Sequence, residues 1–178
     1  MRLFVALVPP EGLRRDLERR GEELRGLCRR GSVVPWENIH LTLAFLEETD
    51  RRDAVERAMG RAAGAPFSLH TARPGWFPGK KGELWWMGVE VSPPLLALRR
   101  RLVRGLGEEG VWMDDRKPFR PHLTLGRDLC PMDGAGLEGW AAACPVGVWR
   151  VREMTLMESR RDAGGLRYIP LSRHPLKK

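Results

Sequence analysis

The chain has 178 residues, 42% of them hydrophobic and 30% charged, with a formal net charge of +8. That is enough apolar material for one well-buried core or two small lobes sharing one, while no apolar run approaches the roughly 20 residues of a spanning helix, which speaks against a membrane protein. Cys28, Cys130 and Cys144 are odd in number and form no C-x-x-C pair, so neither a disulfide framework nor a zinc knuckle is indicated.

RLFVALV, residues 2–8, reads as a first strand stopped by Pro9 and Pro10. It is too short for a signal-peptide core and lacks a small-residue cleavage site, so the expected location is the cytoplasm. VPPEGLRRDLERR then opens a helix with prolines at its start. NIHLTLAF, residues 38–45, is a strand in which Leu41 and Leu43 point one way while His40 and Thr42 point the other. Taken alone, that second face is explained by a wet sheet surface or a satisfied core histidine. Thr49 and Asp50 begin a charged helix through Arg61, and a strand follows over 66–71.

PGKKGE, residues 78–83, puts Lys80 and Lys81 at a hairpin tip, either as a solvated turn or as a contact to an RNA backbone. LWWMGVE, residues 84–90, is a strand, and VSPPLLALRRRLV again opens a helix with prolines. PFRPHLTLGR, residues 118–127, carries a second HLTL. Asp133 begins a weaker helix through Ala143, a strand spans 146–156, and GLRYIPL, residues 165–171, is a closing strand. GAGLEG, residues 134–139, satisfies G-x-G-x-x-G but follows DLCPMD rather than a hydrophobic strand, so no dinucleotide cofactor is expected.

The two HLTL copies lie 82 residues apart, and the elements around them repeat at nearly the same offset: strand, helix, HLTL strand, helix, strand. The halves run roughly over 1–75 and 83–160, inside a single two-lobed domain. The expected fold is α+β: two pseudo-symmetric lobes, each an antiparallel sheet with helices outside, facing across a central groove. Such symmetry brings both H-x-T faces into one site.

Imidazole titrates near working pH, so two histidines flanking a substrate supply a base and an acid in one turnover. Threonine hydroxyls between them donate to anionic oxygens, and a phosphodiester fits the set. Arginine supplies 26 of the 31 basic residues, which suits phosphate, although Arg-rich, Lys-poor usage also follows from a GC-rich genome. One asparagine and no glutamine fit avoidance of thermolabile amides. Trp36, shortly before the first motif, and Phe4, on the first strand, are the candidate aromatic side chains, either as core or as base-stacking platforms. His70 and His174 lack the motif, and no His, Cys or Asp spacing suits a metal.

RLFVAL, ENIHLTLAFL, PFRPHLTLGR and MTLMESRRDAGGLRYIPL together resemble the 2H phosphoesterase superfamily. The nearer resemblance is to its RNA 2′,3′-cyclic phosphodiesterases, historically called 2′-5′ RNA ligases of the LigT/ThpR type. The resemblance implies metal-independent hydrolysis of RNA 2′,3′-cyclic phosphodiester ends to 2′-phosphomonoesters. It implies His40 as proton donor, His122 as proton acceptor, and Thr42 and Thr124 on the phosphate. Arg127 also matches a phosphate-associated position, yet strand parity sets it opposite His122 and Thr124 unless the strand twists or ends at Gly126. One departure is visible: a Phe-Leu-Gly turn usually follows the first motif, and here Glu47 stands for the glycine. The expected protein is a monomer acting on RNA ends. The rival readings are cyclic nucleotides as substrate, a 2′-5′ linkage made or broken at the same site, and a non-catalytic RNA-end binding module.

Overall fold

The computed structural model describes every residue except Asp133, and at Glu47 the backbone alone. The elements in chain order are β1 (Arg2–Leu7), α1 (Glu11–Gly26), β2 (Ser32–Val33), a 3-10 turn (Trp36–Asn38), β3 (Leu41–Glu48), α2 (Arg52–Ala62), β4 (Phe67–Phe77), β5 (Glu83–Val89), α3 (Pro93–Glu108), β6 (His122–Leu129), α4 (Gly134–Ala143), β7 (Val148–Val151), β8 (Glu153–Asp162) and β9 (Gly165–Pro175). They form two antiparallel sheets, ordered β3-β1-β8-β9 and β2-β6-β5-β4-β7. The expected α+β architecture of two facing sheets with helices outside is what the chain adopts.

The sheets do not coincide with the halves of the sequence. β4, from the first half, pairs with β5 in the second sheet, and β8, from the second half, pairs with β1 in the first. Helices cross over as well. α1 packs on β6 and α3 packs on β3, while α2 and α3 lie against each other. Gly21 of α1 is one reason α1 sits so close: a Cβ there would stand 3.0 Å from the Leu125 carbonyl oxygen.

β1 shows how sequence period becomes two environments. Its residues Leu3 to Leu7 are all fully buried. Leu3, Val5 and Leu7 enter the main core, whereas Phe4 and Ala6 form a small second cluster with Met157, flanked by Val8 and Tyr168. A side chain of this size contributes roughly 1.5–3 kcal/mol when buried. The second cluster is the floor beneath the first H-x-T face.

Several boundaries differ from the sequence reading. The strand expected over 146–156 is two strands in different sheets, divided at Arg152. Alternate burial in β7 gives way to two exposed residues, Arg152 and Glu153, and β8 is then continuously buried from Met154 to Met157. β4 extends past Thr71 to Phe77 because a register shift between Thr71 and Pro74 accommodates the proline. β9 runs on to Pro175. Glu47 lies within β3, which continues to Glu48, so no turn follows Leu46 as expected from the family. The expected start of α4 at Asp133 lies outside the described residues. The first strands also correspond with a shift of two: Val5 opposes Ala44 as Trp85 opposes Gly126, so β1 matches residues nearer 82–87 than 84–90.

Candidate active site

The two H-x-T strands are built with the same irregularities. In β3 the step from Val5↔Ala44 to Ala6↔Thr42 leaves Leu43 unopposed, and in β6 the step from Trp85↔Gly126 to Trp86↔Thr124 leaves Leu125 unopposed. Each is a bulge, which resets the inward and outward alternation. In β6 the result is two consecutive buried residues, Leu125 and Gly126, after which Arg127 falls on the same face as His122 and Thr124. This meets the condition that parity imposed on Arg127. Gly126 permits it, since a Cβ there would come within 2.6 Å of Leu129 and 3.0 Å of the Ser32 carbonyl.

Both imidazoles are fixed in the same way. His40 Nδ1 donates to the Asn38 carbonyl at 2.7 Å, and His122 Nδ1 donates to the Arg120 carbonyl at 2.7 Å. A carbonyl oxygen only accepts, so each neutral ring carries its hydrogen on Nδ1 and leaves Nε2 as an acceptor. Thr42 Oγ1 donates to His40 Nε2 at 2.9 Å. Thr124 Oγ1 has no hydrogen-bond partner among the described residues.

His40, Thr42, His122, Thr124 and Arg127 line one cavity of about 450 Å³, together with Arg2, Phe4, Phe45, Leu84, Ser159, Arg161, Leu166 and Tyr168. No carboxylate lines it among the described residues. Burial lowers the His40 pKa from its ordinary 6.5 to about 4, assisted by the positive charges of Arg127 and His122 and opposed by the Asn38 carbonyl. Burial and Arg127 lower His122 as well, against the Arg120 carbonyl. With no anion between them, both rings are therefore neutral near pH 7, and an anion entering the cavity favours their charged forms.

Of the candidate RNA contacts, Phe4 lies in the cavity, with its ring 4.8 Å from that of His40. Trp36 does not line it. Its ring is covered by the guanidinium groups of Arg14 and Arg15, at 4.9 and 4.3 Å. Lys80 and Lys81 are exposed on the β4–β5 turn, away from the lining.

Tyr168, Arg161, Ser159, Arg2 and Phe45 are cavity residues that the sequence reading did not single out. Tyr168 stands edge-on to His40 at 4.9 Å and is the one tyrosine in the chain. Its position is explained by Asn38, the one asparagine: Asn38 Nδ2 donates to the Leu166 carbonyl at 2.8 Å, and Tyr168 N donates to Asn38 Oδ1 at 3.3 Å. One amide thus clips β9 beside the first motif. In a chain that otherwise avoids amides, a single asparagine two residues before the motif histidine was the available signal.

Residues 13–163 match the family model described as the 2′-5′ RNA ligase superfamily. The chain belongs to this superfamily. A relative from Thermus thermophilus named RNA 2′,3′-cyclic phosphodiesterase is 30% identical over 191 aligned positions, covering 99% of this chain and 91% of the relative. One of the same name from Escherichia coli is 30% identical over 82% of this chain and 80% of its own. Among solved structures, a protein from Thermus thermophilus superposes with a TM-score of 0.78 at 30% identity, covering 99% of this chain and 98% of that one. Escherichia coli LigT complexed with 3′-AMP superposes at 0.73 with 27% identity and the same coverage.

Proposed function

We propose that the protein opens 2′,3′-cyclic phosphodiester ends of RNA to 2′-phosphomonoesters, without a metal, through His40 and His122. What carries this reading is the pair of imidazoles with Nδ1 tied back to the chain and Nε2 left as an acceptor, both lining one cavity with Arg127 and two threonines and with no carboxylate among the described residues. The relatives that carry the name RNA 2′,3′-cyclic phosphodiesterase support it.

His122, already a free Nε2 acceptor, takes a proton from water as its oxygen attacks phosphorus. The P–O3′ bond breaks and His40 gives its proton to the departing 3′ oxygen, leaving a 3′-hydroxyl and a 2′-phosphate. His40, its pKa lowered to about 4, is neutral near pH 7, so it gains that proton as the anionic phosphate enters. Arg127, Thr124 and Thr42 donate to the phosphoryl oxygens, where negative charge builds. Each acid–base step contributes roughly 10²–10⁴-fold, and the rigid placement of the two rings supplies the remainder. Among the described residues no helix is long and apolar enough to cross a membrane. We take the protein to be a cytoplasmic monomer whose 178 residues form one two-lobed unit derived from a repeat.

The test is a short RNA ending in a 2′,3′-cyclic phosphate, incubated in excess EDTA with the protein and with His40→Ala and His122→Ala. Conversion to the 2′-phosphate, lost in both variants, is the expected result. Tight binding without turnover would instead make the groove a clamp for RNA ends.

A further inference from the structure

Three guanidinium groups line the cavity, and they fall into two sets. Arg127 sits at the histidines, and its charge acts on both of them. Arg2 and Arg161 lie elsewhere. Arg2 opposes Ser159 across the β1–β8 pair, and Arg161 is two residues further along β8, so Arg2, Ser159 and Arg161 share one face. Phe4, against the His40 ring, is two residues along β1 from Arg2, a step of roughly 7 Å.

These two arginines also differ from their hairpin neighbours in what they lack. On the β8–β9 hairpin Arg160 pairs with Glu158 at 2.8 Å and Arg167 with Asp162 at 3.8 Å, yet Arg161 between them has no carboxylate partner among the described residues. Arg2 has none either, and its guanidinium rests 5.8 Å from the centre of the Phe45 ring. Glu48 opposes Arg2 across the β1–β3 pair but does not line the cavity, and no carboxylate does so among the described residues. Two guanidiniums without an ion pair and a hydroxyl, one short step from the histidines, make a cationic lodging for a second anion.

We propose that Arg2, Ser159 and Arg161 form a second phosphate site that holds the phosphate on the 5′ oxygen of the terminal nucleotide, and so selects RNA ends and 5′-phosphorylated nucleotides over nucleosides bearing only the cyclic group. The proposal rests on the reading that the cyclic phosphate lies between His40 and His122, with its ribose directed toward Phe4. The next phosphate along the chain is then the one that reaches Arg2 and Arg161.

The experiment compares two ligands that differ only in that group, 2′-AMP and adenosine 2′,5′-bisphosphate, by calorimetric titration. The expected preference for the bisphosphate is about ten-fold or more, falling as salt is raised. In Arg2→Met, Arg161→Met and the double variant the preference shrinks stepwise toward one, and Arg→Lys at either position restores part of it. A wild-type preference near one, or a preference untouched by the double variant, overturns the proposal. The same variants are then assayed on adenosine 2′,3′-cyclic phosphate with and without a 5′-phosphate, where the loss is expected in KM. Absence of turnover on both substrates would overturn the proposed activity, while the titrations would still decide the second site.

Discussion

Around His40 the walls are aromatic: Phe4 at 4.8 Å, Tyr168 at 4.9 Å, and Phe45 at the place on β3 that Arg127 holds on β6. Around His122 the neighbours are Phe77, edge-on at 5.4 Å, and Trp86 at 6.0 Å, and the position after the bulge carries Arg127. The backbone is the same in both halves, down to the unopposed residue and the carbonyl that holds Nδ1. The difference is in environment. One imidazole is set in a dry aromatic wall with a threonine on its Nε2; the other faces a guanidinium and keeps its Nε2 unoccupied. A symmetric scaffold thereby presents two chemically distinct nitrogens, as the proposed reaction requires, in which one gives a proton and the other takes one.

The sharpest way to break this comparison is to exchange its unlike members. Arg127→Phe is expected to lower kcat/KM on a cyclic-phosphate RNA by roughly 10²–10³-fold, as when a donor to a developing oxyanion is removed. Adding Phe45→Arg should not restore it, because that guanidinium would stand in the His40 wall rather than beside His122. Recovery of activity in the double variant would show the halves to be interchangeable.

The threonines are a milder probe. Thr42→Val removes the hydroxyl that donates to His40 Nε2 and so supports the neutral ring. It should raise the His40 pKa and displace one limb of the pH–rate profile. Thr124→Val should weaken phosphate binding and leave both limbs in place. The histidine titrations, followed by NMR with and without phosphate, separate the two effects.

Acid stability provides a third contrast. The His40 pKa is about 4 in the folded protein against an ordinary 6.5, so between those values the unfolded chain binds the extra proton. The ring's contribution is fully present above pH 6.5 and is lost as pH falls toward 4. Urea midpoints across that window should therefore drop, and His40→Asn should flatten the slope. His122→Asn is expected to flatten it less, since its ring is the less deeply set of the two. The smallest effect is that of Asn38→Ala, which removes two side-chain hydrogen bonds to β9, each worth about 1 kcal/mol. Melting should fall by roughly 4–8 °C. Turnover should fall several-fold as Tyr168 loosens beside His40.

The elements that organise the site were legible from the sequence because they are local. HLTL alternation placed His beside Thr in both strands, and the prolines marked where α1 and α3 begin. Two features were hidden because they are not local. The bulges that re-aim Arg127 depend on how β5 opposes β6, and no single strand's pattern contains that register. The exchange of β4 and β8 between sheets depends on partners far along the chain, so the cavity wall bearing Arg2, Ser159 and Arg161 belonged to no motif. Asn38 and Tyr168 fall between these cases: each is unique in the composition, but only the β9 backbone shows why they are neighbours.

β1 is an interior strand with one early neighbour and one late one. β3 follows it within the first fifty residues, but its other flank waits for β8, where Arg2 meets Ser159. On a ribosome, β1 would therefore emerge with an open edge and with Phe4 and Ala6 uncovered until almost the whole chain had been made. Pairing of such distant segments is slow, and an unpaired apolar edge invites association with other chains. The floor of the groove is then the last part of the protein to close, and a chain that stops short of β8 lacks the strand that completes the wall of the proposed site.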